Sequence, residues 1–111
     1  MTRWIVLALL LLAAPALAQA KLLKSAPAAG ARVKAPRHVV LTFSQALEPA
    51  YSGALLLDGD GRNVSGGPIA IDGVKMTLSP ARLAPGRYRL EWHAVGHDGK
   101  KREGRMSFSV R

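Results

Sequence analysis

Arg87-Tyr88-Arg89-Leu90-Glu91-Trp92-His93-Ala94 carries the clearest structural signal in the chain. Tyr88, Leu90, Trp92 and Ala94 alternate with Arg89, Glu91 and His93. A period of two belongs to an extended strand, whose successive side chains point to opposite sides of the pleat. It predicts a strand with its apolar side in a core and its polar side in water. Val39-Val40-Leu41-Thr42-Phe43 has the same pattern, with Val39, Leu41 and Phe43 inward. Met106-Ser107-Phe108-Ser109-Val110 repeats it near the C-terminus. Weaker strands are expected near Leu22–Lys24 and over Ala54–Leu57, Pro68–Ile71 and Val74–Leu78.

Turn signals separate these segments at short intervals: Ala29-Gly30, Ala35-Pro36, Asp58-Gly59-Asp60-Gly61, Gly66-Gly67-Pro68, Asp72-Gly73, Pro85-Gly86 and Asp98-Gly99. Asp72-Gly73 lies between two short strands and predicts a hairpin. No helical period survives between residues 21 and 111; Gln45–Tyr51 has room for one turn, limited by Pro49. About seven short strands in one small chain predict an all-β fold, a single Greek-key β-sandwich or barrel of immunoglobulin-like type.

Outward from this domain, the N-terminus has a different composition. Arg3 precedes an uncharged apolar run from Trp4 to Leu12, then small residues from Ala13 to Ala20. This is the tripartite pattern of a helical signal peptide, with cleavage after Ala20 (Ala18-Gln19-Ala20) or after Ala18 (Ala16-Leu17-Ala18). The alternative, a membrane anchor, needs about 20 apolar residues, and Pro15 interrupts the run from Trp4 to Ala20. The expected organisation is a signal peptide over 1–20 and one domain over 21–111, exported to the periplasm.

The chain has 111 residues, 16 Lys+Arg against 7 Asp+Glu, and no Cys. That excludes a disulfide scaffold and a thiolate zinc site. The basic balance does not point to nucleic acid, because no aromatics interleave with the cations for base stacking. Enzymatic activity is not expected: there is no Gly-x-Ser-x-Gly, no thiol nucleophile and no paired carboxylates. Asp58 and Asp60 sit in a Gly-rich turn, where Asp favours the backbone geometry.

His38, His93 and His97 are the candidate metal donors in a chain without thiols. His93 lies on the outer side of the best-defined strand, and His97-Asp98 falls in the loop after it. Four residues of extended chain span roughly 13 Å, too far for one small site, and a bend at Gly96 shortens that distance. Either these groups converge on a metal, or they are a solvent-facing strand His and a turn His beside a carboxylate. Lys100, Lys101, Arg102 and Arg105 are expected to form a basic tip on the last hairpin. That tip either engages anionic lipid, phosphate or an acidic patch, or protects a strand edge from pairing.

The chain resembles the CopC family of periplasmic copper-resistance proteins. The opening Ser-x-Pro-Ala-x-Gly-Ala corresponds to Ser25-Ala26-Pro27-Ala28-Ala29-Gly30-Ala31. A Pro and a strand ending in Phe-Ser follow as Pro36 and Val39 to Ser44. Leu-x-Pro-Gly-x-Tyr-x-apolar-x-Trp corresponds to Leu83 through Trp92. The close is Asp98-Gly99, Gly104, Phe108 and Val110. The resemblance spans 21–111 and implies a Greek-key sandwich, copper carriage and a CopD-type inner-membrane copper protein as partner.

The resemblance also implies a Cu(II) site made by a mature N-terminal His with its α-amino group and an Asp-Gly-His in the last loop. Some members add a Glu after the Phe-Ser pair. This chain has Lys21 at the N-terminal position, Gln45 at the Glu position, Asp98 retained, and Lys100 for the second His. An ammonium has no lone pair for a metal. Met76 and Met106 fall on inward faces, so no Met-rich Cu(I) segment is expected.

Two functions follow. One is a copper carrier with a rebuilt Cu(II) site from His97, Asp98 and His93, aided by the mature α-amino group of Lys21. The other is a CopC-like interaction module without metal, presenting Lys100, Lys101, Arg102 and Arg105 to an acidic partner or an anionic membrane surface.

Overall fold

A computed structural model describes residues 20–111. The predicted signal peptide, apart from Ala20, lies outside the described residues. The rest forms eight strands: β1 (Leu22–Ala26), β2 (Arg32–Val33), β3 (Val39–Phe43), β4 (Gly53–Leu57), β5 (Ala70–Asp72), β6 (Lys75–Leu78), β7 (Gly86–Val95) and β8 (Lys101–Val110). They pair into two four-stranded sheets, ordered β1-β3-β6-β5 and β2-β8-β7-β4. The chain crosses repeatedly between sheets, so each half of the sandwich is built from distant stretches of sequence.

The alternation in β7 works as expected. Tyr88, Leu90, Trp92 and Ala94 are buried, and Arg89 and His93 are exposed. They meet Val39, Leu41 and Phe43 of β3 and Met76 and Leu78 of β6 in one core. Phe43 and Trp92 pack edge to face with ring centres 5.2 Å apart, and Tyr88 stacks on Phe108 at 5.8 Å. The Tyr88 hydroxyl donates to the carbonyl of Ala84 at 2.6 Å, the corner arrangement of Greek-key sandwiches. Gly104 sits opposite Trp92 in the β7–β8 ladder, and the indole occupies the space a Cβ there would need.

Four local readings change. The two-residue β2 escapes sequence inspection; it exists because it pairs in parallel with Ser109 and Val110 of β8. The strand expected over Pro68–Ile71 begins later, at Ala70, since Pro has no N–H for a ladder. The one turn expected within Gln45–Tyr51 is present as a 3-10 turn over Pro49–Tyr51, but Pro49 opens it instead of limiting it, because its preset φ suits the first position. Finally, β8 begins at Lys101 instead of Met106. The expected hairpin is present: β5 and β6 pair Asp72 with Lys75 around Gly73, whose φ is +59°.

The long β7–β8 ladder gives the sandwich two poles. At the near pole, β7 ends in the turn holding His97 and Asp98 before β8 starts. At the far pole, Gly86 of β7 faces Val110 of β8.

Candidate metal centre

The near pole is stitched together from four segments. The Glu48 N–H donates to the carbonyl of Val95 at 2.8 Å, and the Val95 N–H donates to Ser52 Oγ at 3.0 Å. These bonds fasten the 3-10 turn to the end of β7. Gln45 closes the third side: its Oε1 accepts the His97 N–H at 3.2 Å. Its side chain lies where a Cβ at residue 96 would sit, so a larger residue there has to push Gln45 aside. Lys21 completes the set. Its N–H donates to Ser44 Oγ at 2.8 Å, and its carbonyl accepts the Ser44 N–H at 2.8 Å. The start of the domain therefore lies beside Ser44, next to the residue that holds His97.

His93 and His97 line one shallow groove of about 580 Å³, together with Glu48, Tyr51, Val95, Gly96, Gly99 and Lys101. The bend after Val95 brings the two imidazoles to one depression, as a straight strand does not. The His93 ring lies across Gly53, its Cε1 3.1 Å from where a Cβ would stand. His97 Nδ1 is 3.9 Å from Glu48 Oε1. Those side chains are 70% and 48% exposed, so water screens the pair and its contribution to stability is small.

Asp98 does not line this groove. Its Oδ1 accepts the Lys100 N–H at 3.0 Å, an Asx turn that shapes the hairpin. His38 stands elsewhere, its Nδ1 3.0 Å from Ser79 Oγ. Among the described residues, no three His, Asp or Glu side chains are gathered closely enough to hold a metal. Glu48 is the near-pole carboxylate that sequence reading missed. Its only local cue is an acid directly before Pro49; nothing in the sequence ties it to His97, half the chain away.

The cations expected at the tip of the last hairpin are distributed between the turn and the two faces of β8. Only Lys100 lies in the turn, because β8 starts at Lys101. The strand then separates the charges: Lys101 and Arg105 share the outer side with Glu103, whereas Arg102 shares the side of Met106 and Phe108. Lys101 Nζ pairs with Glu103 Oε1 at 2.8 Å. Hydrogen bonding and charge from Lys101, with a smaller contribution from His93, hold the Glu103 carboxyl below its ordinary pKa.

Residues 22–111 match the CopC domain. The chain belongs to the CopC family. Copper resistance protein C of Xanthomonas campestris pv. juglandis is 33% identical over 119 residues, covering 99% of this chain and 94% of its relative. Protein YobA of Escherichia coli K12 is 35% identical over 99 residues, covering 85% of this chain and 80% of YobA. The crystal structure of CopC from Methylosinus trichosporium OB3b superposes with a TM-score of 0.76 at 32% identity, covering 82% of this chain and 92% of that one. The two-sheet architecture of this CopC-family chain is thus that of its solved relative.

Proposed function

We propose that this CopC-family chain is a periplasmic copper carrier that takes Cu(II) at the near pole, through His97 and His93. The observation that carries the reading is that both imidazoles open into one groove, with a carboxylate at His97. Imidazole nitrogen with carboxylate oxygen is a donor set that suits Cu(II). Copper is cargo here. Both imidazoles are exposed, and a few side chains must turn toward the ion to complete its shell. Such a site exchanges its ion readily, which is what a carrier needs.

Glu48 supplies the third donor by closing its gap to His97. Asp98 joins only by leaving the Lys100 N–H, and Lys100 supplies no lone pair while protonated. Cleavage after Ala20 turns the Lys21 nitrogen at Ser44 into an α-amino group, a further donor at the same pole. The relatives named for copper resistance support the role, and the family resemblance extends it to a CopD-type membrane protein as the recipient.

Titration of the processed protein with Cu(II) tests the reading. A stoichiometric visible d–d band is expected, weakened and shifted by His97→Ala and by His93→Ala. Absence of the band, or an identical band in both variants, refutes the site.

A further inference from the structure

The far pole gathers cations from stretches scattered along the sequence. Arg32 of β2 is level with Ser109 of β8, and Ser109 is level with Arg87 of β7, so one row crosses three strands. Arg111 follows β8, its N–H bonded to the carbonyl of Val33. Arg37 and Arg82 line one cleft between the loops that enter β3 and leave β6. Lys34 lies just after β2. All six side chains are exposed, and none has an ion-pair partner among the described residues.

The nearest acids do not neutralise this pole. Asp58 lines a groove with Arg87 and Arg89. Its Oδ1 is committed to the N–H groups of Asp60 and Arg62, both at 2.9 Å. Arg89 is already paired with Glu91 at 3.0 Å. Crowding like charges opposes the compact state, so the cluster gains nothing for folding.

We infer that the far pole docks on an anionic phospholipid surface. A specific protein interface centres on a buried aromatic or apolar anchor. Among the described residues, the exposed large apolar ones, Leu23 and Tyr51, are not at this pole: Leu23 is near the Phe43 end of β1 and Tyr51 lines the His groove. A headgroup layer needs only distributed cations, each adding to the attraction. Arg guanidinium groups present forked donors that match phosphate oxygens. Docked this way, the ten residues of β7 place the His93–His97 groove roughly 30 Å from the headgroups. The inference does not depend on whether that groove takes copper.

Sedimentation with phosphatidylglycerol-containing vesicles, against pure phosphatidylcholine vesicles, tests it without copper. Proteins with identical N-termini are compared, so any leader contributes equally. Wild-type protein is expected on the anionic vesicles only, with partition falling as salt rises. Arg32→Gln, Arg37→Gln, Arg82→Gln and Arg87→Gln combined should weaken partition about fivefold per charge, several-hundred-fold together. Lys100→Gln, Lys101→Gln and Arg105→Gln combined should stay within about tenfold of wild type, because they lie toward the other end of the β7–β8 ladder, beyond a screening length of about 10 Å from the headgroups. Equal losses in the two variants, or salt-insensitive wild-type binding, overturn the docking pole. Capture by polyglutamate without binding to the anionic vesicles reassigns the pole to an acidic protein and also overturns it.

Discussion

At the near pole, the run Lys100-Lys101-Arg102 reads in sequence as a dense basic patch; at the far pole, no two of Arg32, Arg37, Arg82, Arg87 and Arg111 are adjacent in sequence. The folded charge pattern reverses that impression. Along β8, Lys101 is matched by Glu103, and Arg102 faces the opposite side of the sheet. At the far pole, strand register and loop closure bring together isolated cations that make no ion pair among the described residues. Charge density along a chain is therefore a poor guide to charge density on a sandwich, because alternation divides a local run between two faces.

The largest effect should come from removing both imidazoles. The His93→Ala, His97→Ala variant should lose Cu(II) affinity by more than about 100-fold, since losing even an outer-shell partner costs about 10–100-fold. The four-Arg far-pole variant should keep wild-type affinity in the same titration. If both variants lose copper equally, the two poles are not independent.

A substitution in the shared core should affect both poles together. Gly104→Ala places a methyl against the Trp92 indole, a large buried ring that packs edge to face on Phe43. Overpacking of this kind costs about 1–3 kcal/mol, readable in urea unfolding. Gly96→Ala is the sharper counterpart. Its methyl meets only the flexible end of Gln45, so the expected loss is about 1 kcal/mol, that of one hydrogen bond to His97 N–H. Faster amide exchange at His97, with unchanged exchange at the far pole, would show that the change is local.

The smallest effect concerns Glu103. Its pKa is lowered by Lys101, so the stability it contributes is present above its unfolded pKa and fades as pH falls through the folded value. Carboxyl titration by NMR should show Lys101→Met raising the Glu103 pKa toward the ordinary value. The carboxyl is fully exposed, so global stability should barely move. An unchanged pKa would mean that Lys101 is not matched in solution and that the near pole is more cationic than described.

The fold was legible wherever a strand carries its own alternation. β3 and β7 declare themselves because the core face and the wet face are written residue by residue. The bounds of β8 were not, since Lys101 to Arg105 lack apolar alternation and are held extended by the β7 ladder. β2 was invisible because two residues carry no period. In the site, His93, His97 and Asp98 were identifiable as donor types beside a turn. Their grouping was not: Asp98 is turned into its own hairpin, and Glu48 replaces it beside His97.

The strands that carry their own alternation, their inward faces, and the kinship that the match over residues 22–111 bears out all follow from the linear chain. Those properties are local or linear. It took the three-dimensional arrangement to place Glu48 at His97 and to gather scattered arginines at one pole. Each of these depends on which strand pairs with which and in what register, and that choice is made by burying the common core.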